Sequence, residues 1–268
     1  MPLGFGICIK QRNLDMKKQE INNLLFSHDL QDVIGALEMG ADVNMLHPWF
    51  RKTRLELACF AGEKMIAGTL IRNRFKNCAN IDVKNEKGQT LLMQLIASKD
   101  LVHSDIAAFL LDFGASVYET DNAKQTPLMY ACAYSGDQLI QKVLDKCTKK
   151  IINVKNTEGY TALLLACERN KYKYWGSSKI VEKLLKKGAN IKARNNDRQS
   201  VLDIACKSGD KDRVSVILAN SNHAFNSEDY RSAYLYATAY PEIQELLLVS
   251  KFNNNNNMIP VGCGRGSR

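Results

Sequence analysis

Five six-residue blocks recur along the 268-residue chain: Thr53-Arg-Leu-Glu-Leu-Ala58, Thr90-Leu-Leu-Met-Gln-Leu95, Thr126-Pro-Leu-Met-Tyr-Ala131, Thr161-Ala-Leu-Leu-Leu-Ala166 and Ser200-Val-Leu-Asp-Ile-Ala205. Their first residues lie 37, 36, 35 and 39 positions apart. Self-similarity at such a spacing means a stack of small units, because no unit of that size can bury a core by itself. Downstream of each block runs an amphipathic stretch ending in paired apolar residues, such as Ile180-Val181 with Leu184-Leu185, or Val214 with Ile217-Leu218. A Gly-Ala turn then follows in three units, at Gly40-Ala41, Gly114-Ala115 and Gly188-Ala189.

Elementary chemistry explains each part. The leading Thr or Ser can cap the free N–H groups of a helix's first turn. The Leu two positions on and the Ala five positions on share one helical face, leaving room for a second helix to approach. The glycine supplies the left-handed residue that ends that second helix. The polar residues between units then form a short hairpin-like finger. Glycine stands at the expected finger tip as Gly88 and Gly159, but Lys124 and Arg198 replace it elsewhere and must take a positive φ or reshape the tip.

On these blocks and turns the chain resembles the ankyrin-repeat family, whose signature is Thr-Pro-Leu-His-x-Ala at a period of about 33 residues. Only Thr126-Pro127-Leu128 keeps the proline, and no block keeps the histidine. The resemblance implies an all-α solenoid of stacked helix-turn-helix units with short hairpin fingers. Seven units are expected across residues 19–249. The first is a cap with Ile21 and Leu24 on its inner helix; the last begins at Ser232-Ala-Tyr-Leu-Tyr-Ala237. Residues 1–18 form an N-terminal extension, and 250–268, with five consecutive Asn, an Asn/Gly-rich tail too polar to order itself.

Cys59, Cys132, Cys167 and Cys206 each follow the last residue of a block. Small, mildly apolar thiols suit a close helix contact. Units stacked about 10 Å apart hold such positions too far from one another for a disulfide, which needs a Cα separation of about 5.5–6 Å. Packing cysteines in a reducing cytoplasm is the expectation, with a thiol-redox role as its alternative. No Cys-x-x-Cys pair occurs and His28, His47, His103 and His223 are scattered, so no metal site and no cofactor are expected. The N-terminus lacks the features of a signal peptide, and no apolar run approaches the roughly 18 residues a membrane span requires.

The sequence holds no paired carboxylates, Ser/His/Asp set or phosphate loop in a common frame, so it is not expected to be an enzyme. The family resemblance implies a monomeric, non-catalytic module that binds a protein on its concave face. Carried over by position, the contact residues are Trp49, Phe50, Lys52, Glu86, Lys87, Gln89, Gln125, Tyr160 and Gln199 at finger tips, with Phe60, Tyr134, Arg169 and Lys207 at inner-helix ends. Two departures from the repeat add aromatic candidates. The finger at His47-Pro48-Trp49-Phe50 is one residue longer than the others, and Lys171 to Ser178, containing Tyr172, Tyr174 and Trp175, is largely an insertion. These rings are either contact points for a partner or covers for the edge of a neighbouring unit.

Charge is uneven. The whole chain carries +9, yet residues 141–198 hold fifteen Lys/Arg against five Asp/Glu. An alternative reading therefore makes this half a binder of nucleic acid or acidic membrane through its Lys, Tyr and Trp residues. Ordinary solvation of an outer helix face would explain the same lysines. Twenty-three Asn among abundant Lys and Ile suggest an AT-rich genome, such as that of an intracellular bacterium, a protist or a large DNA virus, and the family resemblance then implies a host-directed effector of an intracellular pathogen.

Overall fold

A computed structural model describes residues 18–72, 78–168, 178–221 and 224–256, the last four as backbone only. The rest of the expected N-terminal extension, most of the fifth-unit insertion and residues 257–268 of the expected tail lie outside these. The chain divides into two compact units, Met1–Ser116 and Val117–Arg268.

In the first unit, helices pair three times among the described residues: α1 (18–25) with α2 (Leu30–Glu38), α3 (Arg54–Ala61) with α4 (Lys64–Ile71), and α5 (Leu91–Ala97) with α6 (Leu101–Asp112). In the second they pair four times: α7 (Pro127–Tyr134) with α8 (Asp137–Lys146), α10 (Ala162–Glu168) with α11 (Ser178–Lys186), α12 (Val201–Ser208) with α13 (Lys211–Ala219), and α14 (Ser227–Tyr236) with α15 (Pro241–Asn256). A single helical turn, α9 (Lys149–Ile152), follows α8. Here α7, α10, α12 and α14 stack in order as an inner layer, while α8, α11, α13 and α15 form the outer one.

The five blocks start the five helices they were expected to start. The Thr53, Thr90, Thr126, Thr161 and Ser200 hydroxyls accept from the backbone N–H of Glu56, Met93, Met129, Leu164 and Asp203, at 3.2–3.4 Å. Leu55, Leu92, Leu128, Leu163 and Leu202 are buried beneath them, and so are Cys59, Cys132, Cys167 and Cys206 as free thiols. At a cost of about 25 cal/mol for each Å² of apolar surface left in water, these layers supply the main stabilisation of each unit.

Between helices, each finger closes on the same device. The backbone N–H of Asn85, Asp121, Asn156 and Asn195 donates to the carbonyl four residues on, at Gln89, Gln125, Tyr160 and Gln199. The Oδ1 of the same four residues accepts from the returning N–H of those partners, at 2.7–2.9 Å. An amide or carboxylate on a short stem can do this because it mimics one turn of backbone. The finger ending at Thr53 is one residue longer, as expected, with His47 N–H bonded to the Lys52 carbonyl. The tips take positive φ throughout: Arg51 52°, Gly88 73°, Lys124 59°, Gly159 81° and Arg198 62°. Lys124 and Arg198 thus adopt the left-handed conformation themselves and leave the turn unchanged.

Ile21 and Leu24 lie on the first helix as expected, half-buried beside the fully buried Leu25. Two expectations need correction. The seventh inner helix starts at Asn226, which caps Glu228 and Asp229, and so six residues before Ser232. The last helix continues to Asn256, past residue 249.

Candidate functional site

The expected contact positions divide between the two units. In the first, the long finger projects Trp49 at 87% and Phe50 at 65% exposure. His47 organises this tip, its Nδ1 accepting from the backbone N–H of both Trp49 and Phe50 at 3.3 Å. The imidazole therefore stands in for the Asn or Asp that closes the other fingers. Its ring also meets Phe26 edge-on and Phe50 tilted, both at 4.8 Å between centroids. Beside it opens a cleft of about 580 Å³ lined by Gln19, Asn22, Phe26, Met45 and Trp49 among others.

Lys52 and Phe60, expected separately, lie together, with the Lys52 ammonium 3.9 Å from the centre of the Phe60 ring. His103 reaches back from α6 to hold this corner: Nε2 is 3.1 Å from the Phe60 carbonyl and Nδ1 2.8 Å from Ser98 Oγ. Glu86 and Lys87 are exposed at the next tip, while Gln89 is half-buried and tied to Asn85.

In the second unit, adjacent fingers are zipped together. Thr157 N–H donates to the Ala123 carbonyl, Asn196 N–H to the Glu158 carbonyl, and Asn196 Nδ2 to the Thr157 carbonyl. Gln125 is half-buried, and Tyr134 stands at the end of α7 with its ring 6.0 Å from that of Tyr130. The Tyr160 hydroxyl reaches Glu168 Oε1 at 3.3 Å. Partial burial, reinforced by the negative charges of Glu168 and Asp197, raises the Tyr160 hydroxyl above the ordinary phenol range. Lys207 is exposed at the end of α12. Arg169, Tyr172, Tyr174 and Trp175 lie outside the described residues.

Position matching missed several neighbours of these residues. Tyr236 on α14 accepts from Gln199 Nε2 at 3.2 Å. Arg194, before the last finger, ion-pairs with Asp229 and donates to the Arg198 carbonyl at 2.8 Å. These partners lie 35 and 37 residues apart, which is one repeat period and the sole hint of them in the sequence. On the outer layer, Lys187 pairs with Asp145 at 3.3 Å and Lys186 with Glu182 at 2.6 Å, which offsets part of the lysine-rich surface. Among the described residues, no cluster of three or more His, Cys, Asp or Glu side chains could hold a metal ion. No helix there is long and apolar enough to cross a membrane.

The profile for ankyrin repeats (three copies) matches residues 55–156, 96–195 and 133–229. The chain belongs to the ankyrin-repeat family. Ankyrin repeats are generally protein–protein interaction modules and typically non-catalytic. This ankyrin chain is 25% identical over 184 residues to an ankyrin repeat protein of Acanthamoeba polyphaga mimivirus, covering 66% of itself and 23% of that protein. It is 26% identical over 183 residues to an ankyrin repeat and KH domain-containing protein of Caenorhabditis briggsae, covering 68% of itself and 6% of that protein. The chain thus spans a minor part of either relative's length.

Among solved structures, the chain is similar to one in the complex of the Bd0816 predatory endopeptidase of Bdellovibrio bacteriovorus with immunity protein Bd3460. The identity is 26% and the TM-score 0.56, over 74% of this chain and 95% of that one. An ankyrin repeat domain from Acinetobacter baumannii, 23% identical with a TM-score of 0.58 over 74% of this chain and 97% of that one, shares the fold.

Proposed function

We propose that this ankyrin chain is a non-catalytic binding module that takes a protein partner on its finger tips and inner-helix ends. The observation that carries this is the long finger of the first unit, where Trp49 and Phe50 are held out in solvent by His47. Large rings fixed by a backbone staple lose little entropy on docking, and Trp is the residue type most often found to dominate interface energies. The neighbouring cleft and the Lys52–Phe60 pair give that finger an apolar and cationic surround. In the second unit Tyr134, Tyr160, Gln199 and Lys207 offer a mixed aromatic and polar surface, in keeping with protein interfaces. The similar chain from a complex of an endopeptidase with its immunity protein supports a protein ligand in general.

The experiment is capture of partners by photo-crosslinking from position 50, read by mass spectrometry, for the wild type and for Trp49→Ala with a crosslinker at the same place. A specific protein recovered by the wild type and lost with Trp49→Ala supports the reading. Capture that is unaffected moves the interface away from this finger. Steep loss of the ligand with salt, together with recovered nucleic acid, would instead favour the lysine-rich surface.

A further inference from the structure

The last helix pair of the second unit leaves an apolar cleft of about 670 Å³ between α14 and α15. Buried Tyr230 and Leu247 lie at its floor. Its walls are Tyr234 and Leu235 from α14 and Leu248 from α15, at 37%, 63% and 56% exposure. Phe252, one helical turn beyond Leu248, is 66% exposed. The terminal unit of a stacked array is expected to turn a polar face outward, because no neighbouring unit covers it. This one keeps leucine and phenylalanine in water, and a contiguous apolar face of that kind calls for a cover.

The sequence supplies one beside the cleft. Just past Asn256 comes Met258-Ile259-Pro260-Val261, four apolar residues in an otherwise small and polar stretch. A further repeat is the ordinary cover in a solenoid, but residues 257–268 hold none of the capped blocks. Pro260, Gly262, Gly264 and Gly266 are also poor helix formers.

Reach decides whether the apolar segment can return. Leu248 lies eight residues before the end of α15, which is about 12 Å at about 1.5 Å per residue. Five extended residues, 257–261, cover up to about 16 Å. One reversal therefore lays Met258 to Val261 alongside Lys251 to Leu247. The asparagines at the end of α15 suit that reversal, since Asn takes the left-handed conformation more readily than most residues.

The chemistry of the segment fits as well. Ile259 is biased towards an extended backbone by the proline after it. Pro260 has no N–H, so it can press on an apolar wall without stranding a donor. Arg231 and Lys251, which also line the cleft, can donate to the carbonyls of an extended segment. Attachment to α15 gives the segment an effective concentration in the millimolar range, so a weak contact suffices. A second copy of the chain has no such advantage.

We infer that Met258-Ile259-Pro260-Val261 folds back into the cleft between α14 and α15 and closes the end of the stack. This holds whether or not the finger tips bind a protein.

The test uses the full chain with labelled Ile, Leu and Val methyl groups and reads methyl–methyl NOEs by NMR. Cross-peaks are expected from Ile259 and Val261 to Leu235, Leu247 and Leu248, unchanged on tenfold dilution. The double variant Ile259→Asp, Val261→Asp should lose them and still fold, since both positions lie outside the helix pairs. Leu235→Glu, at an exposed wall position, should lose them too. Thermolysin, which cuts before large apolar residues, should then cleave at Met258 at least about fivefold faster than in the wild type, because cleavage follows the fraction of segment that is free. Absence of the cross-peaks from the wild type, or equal cleavage of wild type and Leu235→Glu, would overturn the inference. So would cross-peaks found only between differently labelled chains in a mixed sample, since a second copy would then fill the cleft. A protein captured by a photo-crosslinker at position 235, with Met258 cleaved as fast as in Leu235→Glu, would equally give the cleft to another occupant.

Discussion

The Arg54 guanidinium, 1% exposed, donates to Glu63 Oε2 at 2.6 Å and to the Ser27 carbonyl at 2.8 Å, clamping the first helix pair to the second. Glu63 Oε1 is held in turn by His28. Partial burial alone would push the Glu63 carboxyl up. Hydrogen bonds from His28 and Arg54, with the Arg54 charge, outweigh it and hold the group below its ordinary value of 4.5.

A depressed carboxyl favours the folded state above its unfolded pKa, and that contribution fades as pH falls through the folded value. Stability to urea is therefore expected to decline below about pH 4.5. Glu63→Gln removes that part of the decline and leaves the buried Arg54 charge uncompensated, at a cost of about 3 kcal/mol at neutral pH. A parallel pH dependence in wild type and variant would show that the pair is not its source.

Gly159 sits where fingers touch. A Cβ there would stand 2.7 Å from the Asn196 backbone nitrogen and would also collide with the Asn196 side-chain oxygen, at a φ of 81°. Neither backbone can yield without opening the bonds that join the two fingers. Gly159→Ala is expected to destabilise by about 2–3 kcal/mol in chemical denaturation. A loss within 0.5 kcal/mol, roughly the range of an ordinary surface change, would contradict this account of the finger contact.

Lys124 and Arg198 hold the same tip position with positive φ and side chains exposed to solvent. Lys124→Gly relieves left-handed strain of about 1–2 kcal/mol and returns part of it as unfolded-chain entropy. The net expectation is a small gain of about 0.5 kcal/mol, read as a rise in the urea midpoint at unchanged slope. A fall in the midpoint would mean that the lysine side chain makes a stabilising contact.

These variants show which parts of the molecule the sequence makes legible. Helix starts were readable at Thr53, Thr90, Thr126, Thr161 and Ser200 because capping is a local event, settled within four residues. The seventh start is the exception: the block pattern places it at Ser232, while the deciding feature is the Asn226-x-x-Asp229 capping box. Contacts one period apart stayed hidden: Arg194 reads as an ordinary surface base until the stack brings Asp229 beside it. Of the proposed contact surface, the sequence leaves open whether Trp49 and Phe50 project or fold back over a neighbouring unit, and it gives no sign that Lys52 pairs with Phe60.

Burial pushes the thiols of Cys59, Cys167 and Cys206 up to about 12, and that of half-buried Cys147 likewise, so they remain protonated at neutral pH. Reaction with a disulfide reagent needs the thiolate and access. In a chain carrying Cys8→Ser and Cys263→Ser, exposed Cys78 is expected to label within minutes, as mapped by peptide mass spectrometry. The four block cysteines should label only on unfolding. Rapid labelling of Cys167 or Cys206 in the folded chain would revive a redox role.

His47 offers a test of how the aromatic finger is held. Its ring contributes two separable things: an Nδ1 that accepts from the Trp49 and Phe50 N–H groups, and stacking surface against Phe26 and Phe50. His47→Asn keeps an acceptor and discards the ring, His47→Phe does the reverse, and His47→Ala removes both. Chymotrypsin cleaves after aromatic residues, so the rate of nicking at Trp49 and Phe50 reports how often this finger opens. If the backbone staple governs the tip, Phe and Ala should raise the rate about fivefold, the equivalent of one hydrogen bond of about 1 kcal/mol, while Asn stays near wild type. If Asn and Ala instead nick alike and Phe does not, ring packing holds the finger. The rigidity attributed to Trp49 would then depend on the apolar cleft, and the binding surface would extend from the tip down to Phe26.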